Sequence, residues 1–270
     1  MNPRRRYTTC LLAGFALACF AVAAPPPALS GSTAPNYSAA GIVNAATQTG
    51  ETLAPNTVAT IYGTNLSWTT HAITARDLNG GTLPTSLEGV SVYVNGILSN
   101  LYFVSPGQIN FLIPYELVAS TGIVYVARQG VAGPEVKIPL ARTSPGFFEW
   151  NGNYALAQHV DGSLIDASHP AAAGEIVVLY AGGLGRTSPD VPSGDIVSVA
   201  TSILYESELQ ILLNGDPCPA SNIYYAGLAP GYAGLYQINL LLPDVVAPNP
   251  AIQMVIGTQS SPGSVLLYVR

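Results

Sequence analysis

The stretch LAPNTVATIYGTNL at residues 53–66 has a counterpart in AAAGEIVVLYAGGLG at residues 171–185, and the pair decides the fold. Each is a β-rich run that ends in glycines and a leucine, and the segments downstream of each run are also shared. EGVSVYVNG (88–96) and SELQILLNG (207–215) read as alternating strands that close on Asn-Gly, at Asn95 and Gly96 and at Asn214 and Gly215. QINFLIP (108–114) and QINLLLP (237–243) come next, ending at Pro114 and Pro243. The offset between copies grows from 118 (Leu66 to Leu184) to 129 (Asn110 to Asn239). Insertions, chiefly AGLAPGYAG (226–234), therefore fall in loops of the second copy. A repeat of this length is a whole domain rather than a solenoid unit.

Periodicity supplies the fold class. In VSVYV, Val90, Val92 and Val94 face one way and Ser91 and Tyr93 the other, and Leu209 and Ile211 share a side in the same manner. NLYFV, GIVYVAR, EVKIPLA, YALAQHV, IQMVI and SVLLYV are further strand candidates, separated by NG, PG, DG and GG turns. No segment carries a helical stripe. Short strands at this spacing predict an all-β fold of two tandem Ig-like β-sandwich domains, 41–148 and 149–270, meeting at SPGFFEWNGN (144–153). Asn-Gly between strands calls for positive φ at both turn residues. In QINFLIP, Ile109, Phe111 and Ile113 are expected inward, with Pro114 ending the pairing by removing a donor. Asn110 and Asn239 are expected to face outward or to bond a neighbouring loop.

Residues 1–24 have the three parts of a secretory signal peptide: the basic run Arg4, Arg5 and Arg6, the apolar stretch CLLAGFALACFAVA, and small residues at Ala21 and Ala23. Cleavage is expected near Ala23/Ala24, giving a secreted protein, periplasmic or extracellular, with no transmembrane segment in the mature chain. A retained anchor needs roughly 20 apolar residues, more than this core supplies. Lipid attachment at Cys19 is the other alternative, which Ala16 and Leu17 fit badly. A proline-rich linker occupies 25–40. Cys10 and Cys19 leave with the leader, so Cys218 remains and forms no internal disulfide. Charged residues make up 9% of the chain, and the formal charge of −6 becomes −9 once the three leader arginines are gone. An acidic surface repels phosphates, which removes nucleic acid from the expected partners.

APNTVATIYGTNL resembles the opening of an IPT/TIG domain, an Ig-like fold. IVNAAT, LPTSLEGVSVYVNG, FVSPGQINFLIP, SPGFF, YAGGLG and YAGLAPGYAGLYQINLLLP, taken with it and the closing strand, resemble the Solibacter uncharacterised C-terminal domain family from about residue 41 to residue 270. The resemblance implies secretion and a β-rich module usually carried at the end of larger exported proteins, and it implies no activity. Little besides leader and linker precedes the matched region, so the module is expected to act alone or on a separate partner. TSPDVPSGDIVSVATSILYESE (187–208) departs from the tight connection the resemblance implies.

The side chains that do chemistry are sparse. His71, His159 and His169 are the histidines, and there is no G-x-S-x-G elbow. His159 lies near Asp161, Ser163 and Asp166, the ingredients of a triad, but neighbours on one hairpin point to alternate faces and DGS is an ordinary tight turn. Zinc spacing and an EF-hand pattern are missing, and no Lys succeeds the glycines of AGGLGRTS. No catalytic residue, metal or cofactor is assigned, and no enzyme activity is expected. Aromatics give the binding hint: Tyr224, Tyr225, Tyr232 and Tyr236 crowd the second-copy insertion, and Trp68 lies in LSWTTHAIT. Tyr232, Trp68 and Tyr225 are the nominated ligand contacts, since such rings present apolar area with a polar tip. Phe147, Phe148 and Trp150 are assigned to interdomain packing. The expectation is an exported, non-catalytic interaction module that binds a glycan, a cell-envelope component or a secreted protein. A structural spacer with no ligand of its own is the alternative, and an enzyme of unknown class comes third. Binding predicts aromatic loops clustered at one end of a sandwich, and spacing predicts a stiff, buried junction.

Overall fold

Alternation in the two matched strands is realised in full. Val90, Val92 and Val94 are buried between partly covered Ser91 and Tyr93, and Leu209, Ile211 and Leu213 are buried in the second copy. A computed structural model defines residues 34–270, so the expected leader, its cleavage point and Cys19 lie outside the described residues. Both strands run into turns with positive φ, 51° and 78° at Asn95 and Gly96, 53° and 88° at Asn214 and Gly215. That geometry matches the right-handed twist of flanking strands. The two asparagines share a second job: Asn95 Oδ1 accepts from the Ile123 amide (2.7 Å) and Asn214 Oδ1 from the Ala251 amide (2.8 Å). Gln-Ile-Asn repeats for a similar reason. Gln108 Nε2 donates to Asn110 Oδ1 (2.9 Å) and Gln237 Nε2 to Asn239 Oδ1 (2.8 Å), each pair sharing one strand face.

In the first half, one sheet has the order Asn36–Asn44, Val58–Thr64, Gln108–Leu112, Leu101–Val104, His71–Ala72. It faces a sheet with the order Val136–Pro139, Thr121–Arg128, Val90–Val94, Ile97–Leu98. Ile61, Ile109 and Phe111 meet Val92, Val124 and Val126 between them. The second half repeats the plan. Gly146–Phe147, Ile176–Gly182, Tyr236–Leu241, Ile223–Leu228, Thr201–Ile203 and Thr187–Ser188 lie in that order, facing Asp216–Pro217, Leu209–Leu213, Ile252–Ile256 and Gln259–Ser260. Leu179, Tyr236 and Ile238 meet Ile211, Ile252 and Met254 in its core. Matched strands pair alike, with Thr60 opposite Asn110 and Val178 opposite Asn239, both antiparallel. The protein is all-β, two Ig-like sandwiches in tandem. Among the described residues, no helix is long and apolar enough to cross a membrane.

Four expectations change. Strand Asn36–Asn44 begins inside the stretch read as linker, because Tyr37 is buried and its hydroxyl bridges Pro134 O (2.6 Å) and the Val126 amide (2.8 Å). Phe147 belongs to the core of the second sandwich, and its strand pairs with Gly182 and Ala181, so the second unit begins at Gly146 rather than residue 149. Trp150 is 39% exposed and not packed between domains. Asn110 is buried, bonded to Gln108 and to the Thr60 hydroxyl (3.2 Å) instead of facing solvent. The reason is that this end of the sheet's outer face is covered: Val58 and Leu112 pack with Leu83 and with Ala233 of the second copy.

That outer packing belongs to a junction built largely from the segment 187–208. The Leu83 amide donates to Gly194 O (2.9 Å), the Ile196 amide to Gly81 O (3.0 Å), and Thr82 Oγ1 to Asp195 Oδ1 (2.6 Å). Ser193 Oγ accepts from the Tyr115 amide (2.7 Å) and donates to Asn56 Oδ1 (3.2 Å). Gly194 sits at φ 85° against the Asn100 side chain, where an added Cβ would lie 2.3 Å from that amide group. Close approach therefore requires glycine there. The inserted loop closes a second seam, with the Ala233 amide donating to the Tyr102 hydroxyl (3.1 Å) and that hydroxyl to Ala233 O (2.5 Å). Arg142 clasps Glu208 through its two terminal nitrogens, and the Ser144 amide donates to Gly183 O (2.7 Å).

Candidate functional site

The one nominated contact with a large accessible ring is Trp68. Leu66 and Ser67 are buried at the end of strand Val58–Thr64, and the chain then turns Trp68 outward, leaving it 54% exposed. Its orientation is set from below. In GIVYVAR the inward row is Gly122, Val124, Val126 and Arg128, so an arginine occupies the last core-facing position. Burying a guanidinium is costly unless it is partnered. Arg128 is 2% exposed, donates to Asn65 O, and lays its Cζ 3.6 Å from the Trp68 ring centroid. This cation–π stack occupies one side of the indole. Trp68 Nε1 donates to Gln129 Oε1 (3.3 Å), and the Gln129 amide donates to Gly89 O (2.7 Å).

Next to Gly89 comes a charged network. His71 Nδ1 lies 2.8 Å from Glu88 Oε1 and Nε2 lies 3.1 Å from Asp77 Oδ2. Both partners are carboxylates that only accept, so His71 satisfies both bonds as an imidazolium. The Asp77 bond, opposed by slight burial and helped by Glu88, raises its pKa. Bonds from the Thr74 amide and hydroxyl, then from His71, lower Asp77 to about 2. Trp68, Gln129, Glu88, His71 and Asp77 thus form one connected strip on the first sandwich.

The other nominated residues do not join it. The Tyr225 hydroxyl accepts from the Thr201 amide (3.0 Å) and donates to Leu228 O (2.7 Å), tying together two paired strands of the second sandwich. Tyr232 is half-buried in the docked loop, close enough to Tyr102 and Tyr180 to add to the burial that raises both phenols. Tyr236 is fully buried with its hydroxyl on Gly185 O. Of the nominated residues, Trp68 alone lies on this strip; Arg128, Gln129, Glu88, His71 and Asp77 were not nominated. The signal for Arg128 was its place in the inward row.

No family model matches the chain, and no curated protein matches it. Among solved structures it is similar to a Bacteroides ovatus mixed-linkage glucan utilization locus protein, SGBP-B, in complex with a mixed-linkage heptasaccharide. Identity is 11%, the TM-score is 0.31, and the match covers 82% of this chain and 44% of that one. The plexin A4 extracellular region matches at 14% identity and a TM-score of 0.24, over 94% of this chain and 20% of that one. Domains 5-6 of the S-layer protein SbsC match at 10% identity and a TM-score of 0.23, over 87% and 98%. The chain spans less than half the length of the first two, and overlaps this loose carry no functional argument.

The triad-like group of the second sandwich resolves into something else. His159 Nδ1 bonds Glu175, a residue that sequence proximity does not connect to it, and Nε2 lies 3.2 Å from His169 O. Burial pulls the His159 pKa down, but these two bonds and the nearby carboxylates outweigh it and leave the value raised. Neither ring nitrogen is open to take a proton from Ser163, whose hydroxyl instead donates to Asp161 Oδ1 (2.6 Å). Among the described residues, no group of three or more His, Cys, Asp or Glu side chains is placed to hold a metal ion.

Proposed function

We propose that this protein is an exported, non-catalytic interaction module and that the Trp68 strip is where it meets a glycan, an envelope component or another secreted protein. The observation that carries this is the indole itself, more than half exposed yet pinned by a buried arginine. A rigid aromatic surface loses little conformational freedom on contact, which suits recognition. Gln129, Glu88 and His71 add hydrogen-bonding groups along its edge. Export is supported by the basic, apolar and small-residue pattern of residues 1–24. Membership of the Solibacter family is supported by the order of motifs from IVNAAT to the closing strand. Glycan-array and envelope pull-down binding by the mature chain tests the proposal. Trp68→Ala is expected to weaken capture by about tenfold or more, equivalent to ~1.4 kcal/mol. Tyr232→Ala, in the docked loop, is expected to leave the captured partner unchanged. Retention of full binding by Trp68→Ala would sink the assignment.

A second function is favoured by the junction. Hydrogen bonds along 81–83 and 193–196, with the Ala233 seam, suit a stiff spacer that holds two surfaces at fixed separation. The two roles are compatible in one molecule. They part in assay: a pure spacer captures nothing through either tryptophan.

A further inference from the structure

The second of the chain's two tryptophans, Trp150, is 39% exposed on the other sandwich. Strand Glu149–Trp150 pairs with Tyr154–Ala155, setting Trp150 opposite Tyr154, whose ring stacks on Tyr268 with centroids 3.6 Å apart and planes 3° apart. Asn151 turns the chain at φ 54° and donates through Nδ2 to the Tyr268 hydroxyl (3.2 Å). Trp150 therefore sits on a hairpin anchored by its neighbours. Beside it lies a depression of about 380 Å³ lined by Trp150, Asn151, Asp166, Ala167 and Ser168. The next residue, His169, borders a second depression of about 490 Å³ together with His159, Asp161, Ser163 and Glu175. One turn separates the two.

Polar groups along these walls are held in place. Asp166 Oδ1 accepts from the Ser168 and His169 amides (2.7 and 2.8 Å), and Asp161 Oδ1 accepts from the Ser163 amide and hydroxyl (2.9 and 2.6 Å). Those bonds also lower both carboxyl pKa values and keep the groups ionised. We propose that this groove on the second sandwich is a separate binding site for an uncharged oligosaccharide. The C–H face of a sugar ring stacks on an indole, and its hydroxyls seek fixed acceptors, which Asp166, Asp161 and the Asn151 amide oxygen supply. Asp161, Asp166 and Glu175 outnumber the two histidines, His159 and His169, the latter 3.5 Å from Asp166, so the walls disfavour uronate or sulfate groups. Both depressions are open to solvent rather than enclosed, which suits an extended chain of sugar units lying along the surface. Nothing in this site depends on the Trp68 strip.

Having one indole per sandwich makes the assay site-specific. Trp68→Phe leaves Trp150 as the sole tryptophan reporter, and Trp150→Phe leaves Trp68. Each variant of the mature chain is titrated with cellohexaose, xylohexaose and chitohexaose, and with hexagalacturonate as the anionic counterpart. At least one uncharged hexamer is expected to shift Trp150 emission saturably in Trp68→Phe, with hexagalacturonate leaving it unmoved. Adding Asp166→Asn, which keeps an acceptor oxygen for the turn, is expected to weaken that binding about tenfold. Silence of Trp150 toward all three uncharged hexamers, or an equal response to hexagalacturonate, overturns the proposal. A response confined to Trp150→Phe overturns it too, while leaving the Trp68 strip as a binding surface.

Discussion

Replacing Gly194 by alanine would put a methyl carbon 2.3 Å from the Asn100 side chain, in a residue whose φ is 85°. Two costs add. Holding a non-glycine residue in the left-handed region costs about 1–2 kcal/mol. Displacing Asn100 breaks its buried 2.7 Å bond to Leu83 O, at about 1–3 kcal/mol. The expected loss is therefore about 2–5 kcal/mol, felt at the seam where Leu83 and Ile196 pair with Gly194 and Gly81. Gly215→Ala is the matched control, because its φ is 88° with nothing within 4 Å of the added carbon, so it carries the first cost alone. Urea denaturation monitored by tryptophan emission reads both sandwiches, since Trp68 and Trp150 lie one in each. Wild type is expected to unfold in one transition, and Gly194→Ala in two, the domains having lost their coupling. Equal destabilisation by the two substitutions, within about 0.5 kcal/mol, would refute the claim that the junction needs glycine for close approach.

The Trp68 strip yields further expected outcomes. Arg128→Lys removes the planar partner of the indole and is expected to cost about 1–3 kcal/mol, with a red shift in Trp68 emission when Trp150 is replaced by Phe. An unshifted spectrum would show that the stack does not hold the ring. His71 has a folded-state pKa above its ordinary value, so its two carboxylate bonds stabilise the protein fully below about pH 6.5 and are lost as pH rises through the raised value. Wild type should lose stability relative to His71→Gln across that window, and parallel pH profiles would contradict the ion-pair geometry. Asp77, lowered to about 2, contributes above the ordinary carboxylate value and loses its contribution only as pH falls toward that figure.

What alternation dictates was readable: the inward valines, the Asn-Gly turns and the duplicated plan are set by side-chain period and backbone sterics within a few residues. The junction was not, because it depends on which surfaces two finished sandwiches bring together. Asn110 looks like a solvent-facing residue until Val58 and Leu112 on the same sheet are found packed with Ala233. Tyr232 looked like a ligand contact for a related reason. An insertion rich in glycine, alanine and tyrosine suits recognition and docking equally, and only the Tyr102 hydroxyl meeting Ala233 reveals the docking. Trp150 went the other way: it reads as junction packing from its place in SPGFFEWNGN, but Phe147 takes the buried position and leaves Trp150 on the hairpin's exposed side. His159 and Glu175 are sixteen residues apart, and pairing of Ala157–His159 with Ile176–Gly182 is what brings their side chains together.

Duplicated modules are ordinarily interchangeable beads, but the covering of Val58 and Leu112 by the Ala233 loop changes what this chain can be cut into. Severed from its successor, the leading bead would present greasy side chains where it now has an internal seam, and self-association would be their readiest refuge. Each bead has its own core, but only the pair keeps that face covered, so a transplant of this module into another protein is best made with both beads in their native order.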